Sequence, residues 1–367
     1  TLCDAYFMNR DNGADFRLSD NFDGAESIFA VRVIILPEAG AQTIQVDDFG
    51  ADPFDDQPDS AAIQAALDST CDQDTVVFTS GVESPGYQGY WIDQTLFLTG
   101  SAAKQGLILT ASDPANHAQW RATADLKGFV ARLYARSRIN NPGMIDDIEI
   151  SSIDMHGGRE LRQCQGADGV SNGLDDNYGS WLPECPAIDD PWCLPGVLGL
   201  DGGGNWADTS QNYLGRPDEW STNVVVHDLR IEQGECGTAL AFFSAGGRIE
   251  NVTIDTAGDH VHAAGCAFTD ADGDVGAWSD GITLFGPGHT ITGNTVVNPS
   301  DIGIVFFGGK NTNISNNTIK ITAGNYGAFG GIALHPWIFG DIGGLQINGN
   351  TVASEGDPRC GGLHTGI

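Results

Sequence analysis

The sequence predicts an all-β protein, a right-handed parallel β-helix, and three observations lead there. Glycine is abundant, 50 of 367 residues against only 3 Met, which suits tight turns between short strands rather than a helical bundle. A short apolar strand recurs as Leu240-Ala241-Phe242-Phe243, Ile282-Thr283-Leu284-Phe285, Ile304-Val305-Phe306-Phe307 and Ile332-Ala333-Leu334-His335. After each comes a Gly-rich turn and a second strand holding an Asn, at Asn251, Asn294, Asn317 and Asn350. Strands this short cannot bury an apolar face alone; stacked as coils about 4.8 Å apart they share one core.

The four asparagines are expected to align as a side-chain ladder inside a bend, which explains amides where β-propensity would not place them. Weaker coils stand earlier, at Ile148–Asp154 and Val224–Ile231. Coil length varies, 23 residues from Asn294 to Asn317 and 33 from Asn317 to Asn350, and the extra residues are expected to bulge as loops on one side.

At the head of the chain, Val46-Asp-Asp-Phe-Gly-Ala-Asp52 leads into an acidic turn and then Ala61-Ala-Ile-Gln-Ala-Ala-Leu-Asp68. Asp59 or Ser60 is placed to cap a helix whose apolar face carries Ile63, Ala66 and Leu67, and that helix would plug the open end of the solenoid. Strands Thr75–Phe78 and Gly89–Ile92 follow. This ordered run resembles the N-terminal cap of the pectate-lyase-like superfamily of β-helix proteins over about residues 44–100. The resemblance implies the fold, on which lyases, hydrolases, epimerases and tailspikes all occur. The expected organisation is a lead-in of unassigned role over 1–43 and a β-helix domain over 44–367, with a loop excursion at 157–223. Thr365-Gly366-Ile367 looks like the opening of another repeat, so further coils are expected. Thr1-Leu2-Cys3 has neither a starting Met nor a charged leader region, so the chain is expected to be a processed or trimmed product.

Charge narrows the partners. With 17 basic and 49 acidic residues the chain carries -32, which opposes nucleic acid and anionic membranes. No run of 18 apolar residues exists to span a bilayer. Eight cysteines, none in a CxxC pair, point to disulfides and an extracellular setting.

Chemistry is expected on the later coils. Asp280 (in Trp278-Ser-Asp-Gly281) and Asp301 (in Ser300-Asp-Ile-Gly303) enter one strand position of consecutive coils, one residue out of register. Paired carboxylates there suit glycoside hydrolysis, one as acid and one as base or nucleophile. An Asp before Gly is equally a turn former. The order Asp-Gly, Asp, then His335 on the next coil is similar to polygalacturonase-type hydrolases. Here WSDG stands for their NTDG, the second motif has one Asp, and no RIK follows. That resemblance gives Asp280 and Asp301 as catalytic, with His335 assisting.

The aligned Phe243, Phe285, Phe307 and His335 face outward by alternation, either to stack sugar rings or to support a packed loop. The substrate-binding candidates are Phe285, Phe307, Trp278, Trp337, His260 and His262, with Trp181, Trp206 and Trp220 of the excursion as sugar platforms. His156 and Arg159 are candidates for the groove edge. Asp270, Asp272 and Asp274 cluster around a Gly turn as oxygen ligands of the kind Ca2+ takes, while two histidines alone are a poor transition-metal signature. A hydrolase of this type requires no cofactor. The leading expectation is a secreted glycoside hydrolase acting on a polysaccharide. The alternatives are a polysaccharide lyase or uronate epimerase assisted by calcium, and a non-catalytic glycan-binding solenoid. Scarce basic residues and the negative field weigh against a strongly anionic substrate.

Overall fold

A computed structural model of the chain describes residues 41–81, 86–99, 104–126, 129–134, 146–158, 196–201, 221–234, 237–257, 279–322, 328–335, 341–355 and 363–365. Every strand pairing between named strands there is parallel, in a 15-stranded sheet and an 8-stranded sheet. Strands succeed one another around three faces. Thr290–Thr292, Thr295–Val297 and Ile302–Phe306 form one coil, and Asn313–Ser315, Thr318–Ile321 and Ala328–Leu334 the next. The larger sheet carries the first two faces because Val225–Gly234 and Arg248–Ala257 run unbroken through the corner between them. The smaller sheet is the third face. The chain is therefore a parallel β-helix.

Single left-handed residues make the first corner. Ser152, Asp228, Asn251, Gly293, Asn316 and Gly349 have φ of 57, 50, 56, 69, 56 and 65°, and strand register places them in one column. Asn, Asp and Gly tolerate φ > 0 at least cost, which is why they recur there. The residue after each turns inward. Those inward positions hold Ile153, Leu229, Val252, Asn294, Asn317 and Asn350, so the amide ladder runs through the last three only. Asn294 Nδ2 donates to Asn317 Oδ1 (2.9 Å), and Asn317 Nδ2 donates to Asn350 Oδ1 (2.9 Å). Asn251 is not a rung, because Glu250 pairs with Thr292 and Thr253 with Thr295. It is exposed at the corner, and its amide reaches Asp228.

Inside, one continuous core runs from Val46 in the cap through Leu240, Ile282 and Ile304 to Ile332. The helix Ser60–Ser69 closes the N-terminal end with Ile63, Ala66 and Leu67 buried. Neither expected capping side chain caps it. Asp59 instead accepts the Asp52 and Trp91 backbone N–H groups (2.8 Å each), and Ser60 Oγ accepts those of Asp93 and Gln94. The helix is thus stitched to the first coils.

The 157–223 excursion is not wholly loop. Gly196–Asp201 pairs with Ala131–Tyr134 and with Gly237–Phe243, supplying the third face of its coil. Val197, Leu198 and Leu200 enter the core, while Phe129 lies against Gly196 and Gly199 on the outside, in space a side chain would need. The glycines that admit Phe129 are what hide this strand's alternation in the sequence. Residues 1–40 of the lead-in lie outside the described residues, and Thr43–Gln45 already pairs with Thr75–Val77. No helix among the described residues is long and apolar enough to cross a membrane.

Candidate active site

Asp280 and Asp301 sit where the second face turns into the third. Asp280 lies within the strand Ser279–Phe285 and is not in a turn. Asp301 immediately precedes Ile302–Phe306 on the next coil. Its N–H donates to Ser279 O (3.1 Å), and its carbonyl accepts Gly330 N–H (3.2 Å). Ser300 Oγ accepts Ser279 N–H (2.8 Å) and pins the two coils at this level.

Strict alternation would send Asp280 inward, since Ile282 and Leu284 are core. Here the strand has two successive inward residues. A Cβ on Gly281 would lie 2.5 Å from Val296 Cγ1 and 2.5 Å from Gly303 O, so this position points at the core as Ile282 does. The neighbouring strand repeats the pattern, with Ala239 and Leu240 both fully buried. The doubled inward pair leaves Asp280 and Thr283 on the same outer side, and Thr283 Oγ1 lies 2.9 Å from Asp280 Oδ2. Gly281 is therefore a packing requirement. Gly281→Ala is expected to cost about 1–3 kcal/mol through overpacking, seen as a lower denaturation midpoint; an unchanged midpoint would show that the coil has room there.

The environment raises both carboxyls. Burial, and then the neighbouring Asp301 carboxyl, hold Asp280 well above the ordinary carboxylate range, against the opposing pull of the Thr283 hydroxyl. Its Oδ1 is buried with no partner of good geometry. Burial also lifts Asp301, to about 6. The two neighbouring carboxyls thus titrate together, both above the ordinary carboxylate range.

His335 is not part of this pair. It shares the row of Phe285 and Phe307, five residues further along the strand from Asp280, or roughly 16 Å at strand rise. It is exposed, its ring edge-on to Phe307 at 5.7 Å. Nor is the aromatic row an open sugar platform. Phe285 is 2% exposed, packed between Phe243 (centroids 4.3 Å) and Phe307 (4.6 Å, stacked). With Phe129 and Ala241 these rings form a second apolar cluster outside the third face. A ring stacked on Phe307 and covered by the tilted Phe243 ring offers no face to a substrate, and Phe307 is only partly buried.

Trp278, Trp337, His260, His262, Trp181, Trp206, Trp220, Arg159 and the candidate calcium ligands Asp270, Asp272 and Asp274 lie outside the described residues. The backbone does leave the second face at Ala257 and re-enter at Ser279, and likewise leaves at Gly158 and re-enters at Gly196. Both long connections start and finish on the corner that carries the acid pair. His156 stands there too, at the end of Ile153–His156, its Nδ1 accepting Gly158 N–H (3.3 Å). No cluster of three or more metal-ligating side chains occurs among the described residues. Cys71, the one cysteine among them, is disulfide-bonded.

Sequence reasoning overlooked Thr238, Thr283 and Ser300. All three are buried, at 6, 7 and 5% exposure, and all lie hydrogen-bonded around the pair. For Thr238 the available signal was a lone hydroxyl in a strand otherwise made of apolar residues and glycine.

No family model and no curated protein matches the sequence. Among solved structures, the chain is similar to the catalytic unit of a GH87 α-1,3-glucanase from Streptomyces thermodiastaticus, at 13% identity and TM-score 0.46, over 87% of this chain and 42% of that one. It is also similar to PfbA, a surface adhesin of Streptococcus pneumoniae, at 15% identity and TM-score 0.41, over 79% of this chain and 66% of that one. A third is the A-module of the mannuronan C-5 epimerase AlgE6 of Azotobacter vinelandii, at 12% identity and TM-score 0.33, over 88% and 98%. The chain thus spans less than two thirds of the first two.

Proposed function

We propose that this chain is a secreted carbohydrate-active enzyme that hydrolyses a glycosidic bond at the corner between its second and third faces. Asp280 is the general acid and Asp301 the base or nucleophile. One observation carries the reading: two outward carboxyls on adjacent coils, both lifted above the ordinary carboxylate range by burial, Asp280 further by the neighbouring Asp301. Two such groups are what cleavage of an acetal needs, because the leaving oxygen must gain a proton while the anomeric carbon is attacked or hydrated. The substrate is an oligosaccharide or polysaccharide of low negative charge, since a chain of net charge -32 repels polyanions. The disulfide at Cys71 supports an oxidising compartment.

A screen of neutral and acidic glycans tests this. New reducing ends without an unsaturated product are expected. An unsaturated product would mean β-elimination, and binding without turnover on any glycan would mean a glycan-binding solenoid; either outcome overturns the assignment. The pH profile adds a second check. Asp301 must be ionised, so activity is expected to rise with a midpoint near pH 6. Asp280 must keep its proton, so activity falls again at higher pH, once its raised pKa is passed. A profile that peaks below pH 5 would contradict both roles.

A further inference from the structure

An acid that works in turnover must lose its proton and regain it. A carboxyl as enclosed as that of Asp280 needs hydrogen-bond partners suited to both states, because an unsatisfied buried group is costly. The doubled inward pair supplies them. Thr283 Oγ1 lies 2.9 Å from Asp280 Oδ2 and 2.9 Å from Thr238 Oγ1, and Thr238 Oγ1 lies 3.3 Å from Leu240 O. A hydroxyl both donates and accepts, so this row can run in either direction.

We propose that Thr283 and Thr238 are positioning residues forming a reversible hydroxyl relay that keeps Asp280 hydrogen-bonded as acid and as carboxylate. When Asp280 is ionised, Thr238 donates to Thr283 and Thr283 donates to Oδ2. When the proton rests on Oδ2, Asp280 donates to Thr283, Thr283 to Thr238, and Thr238 to the Leu240 carbonyl. That carbonyl is the terminal acceptor that makes reversal complete. No atom moves far, since only hydroxyl rotors turn. Burial raises the proton affinity of Asp280 most, the neighbouring Asp301 raises it further, and the Thr283 hydroxyl and the Ile302 N–H lower it. The catalytic importance of the relay rests on the reading of Asp280 as the acid; the relay itself does not.

The two hydroxyls predict opposite effects. Thr283→Val removes the donor to the carboxylate, and is expected to raise the Asp280 midpoint by about one pH unit. Thr238→Val leaves that donor in place and removes one bond from each state, but in the protonated state it strands the Thr283 hydroxyl proton without an acceptor, the costlier loss. Thr283 then donates to Oδ2 alone, and the midpoint is expected to fall by about half a unit. Thr283→Ser should restore the wild-type value. The measurement is a carboxyl-carbon NMR titration of aspartate-labelled protein, with Asp280→Asn identifying the resonance. Shifts of opposite sign with rescue by serine support the relay. Shifts of one sign, or none in variants whose denaturation midpoints have fallen, would reduce these threonines to packing and overturn it. The reading of Asp280 as the acid fails separately, if Asp280→Asn still cleaves a glycan that the wild type cleaves. On any such glycan the upper limb of the pH profile should follow the titration.

Discussion

Asp280→Asn is expected to lower glycan cleavage roughly a thousandfold, the usual loss when a general acid is removed, while leaving the fold at least as stable. Asparagine nearly matches the carboxyl in size and can still meet Thr283 Oγ1, yet it has no proton to give to a leaving oxygen. The stability half follows from the same surroundings. Burial and Asp301 raise the folded-state pKa of Asp280 above its unfolded value, so the folded chain binds that proton more tightly. A group of this kind favours folding most below the unfolded carboxylate pKa near 4, and its contribution is lost as pH rises through the folded value. For Asp301 the window runs from about 4 to about 6, which amounts to roughly 3 kcal/mol. The pair thus works against the fold at neutral pH, as groups held for chemistry commonly do. Replacing either acid with its amide should therefore raise the denaturation midpoint at pH 7 and change it little at pH 4. An Asp280→Asn protein that keeps near wild-type turnover would end the assignment. One that loses turnover only because it unfolds would leave Asp280 as a structural carboxyl.

The coil architecture was legible in the sequence because it depends on a periodic demand. Each coil must place an apolar residue at Ile249, Ile291, Ile314 and Ile347, and each corner needs a residue that accepts positive φ. The placement of Asp280 and Asp301 on adjacent coils was legible for the same reason, since a one-residue offset can be counted. What could not be counted is where a strand changes its alternation. The ladder was misassigned at its first rung because Asn251 stands at the corner, one place before the inward position that Val252 fills. The outward aromatic row was found correctly, but its exposure was not, since the cover over Phe285 is a tertiary fact. His335 shares the row of those rings and is separated from the acids by the length of a strand, a distance that listing motifs coil by coil conceals. The strand Gly196–Asp201 was missed because two of its six residues are glycines chosen to receive Phe129. Thr283 was invisible as a site residue because only the doubled inward pair turns it toward Asp280.

Asn317→Leu is expected to be the most destabilising single change on the later coils, at about 3–5 kcal/mol, for several groups lose their partners at once. Asn317 Oδ1 accepts Asn294 N–H (3.0 Å) and Asn294 Nδ2 (2.9 Å), while its Nδ2 donates to Ile291 O (2.9 Å) and Asn350 Oδ1 (2.9 Å). The residue is 1% exposed. Leucine fits the column in kind, because Leu229 and Val252 occupy it in earlier coils. Apolar character is therefore not what the site forbids. The cost comes from stranding the amides above and below, so it should shrink when they leave together. The double variant Asn294→Leu with Asn317→Leu is expected to lose clearly less than the sum of the two single losses, since the two amides bonded to each other are then both gone. Chemical denaturation of the three variants measures this directly. Strict additivity would mean that each asparagine serves only its own bend. A small loss for Asn317→Leu alone would mean that packing, not the amide ladder, sets the register of the last coils.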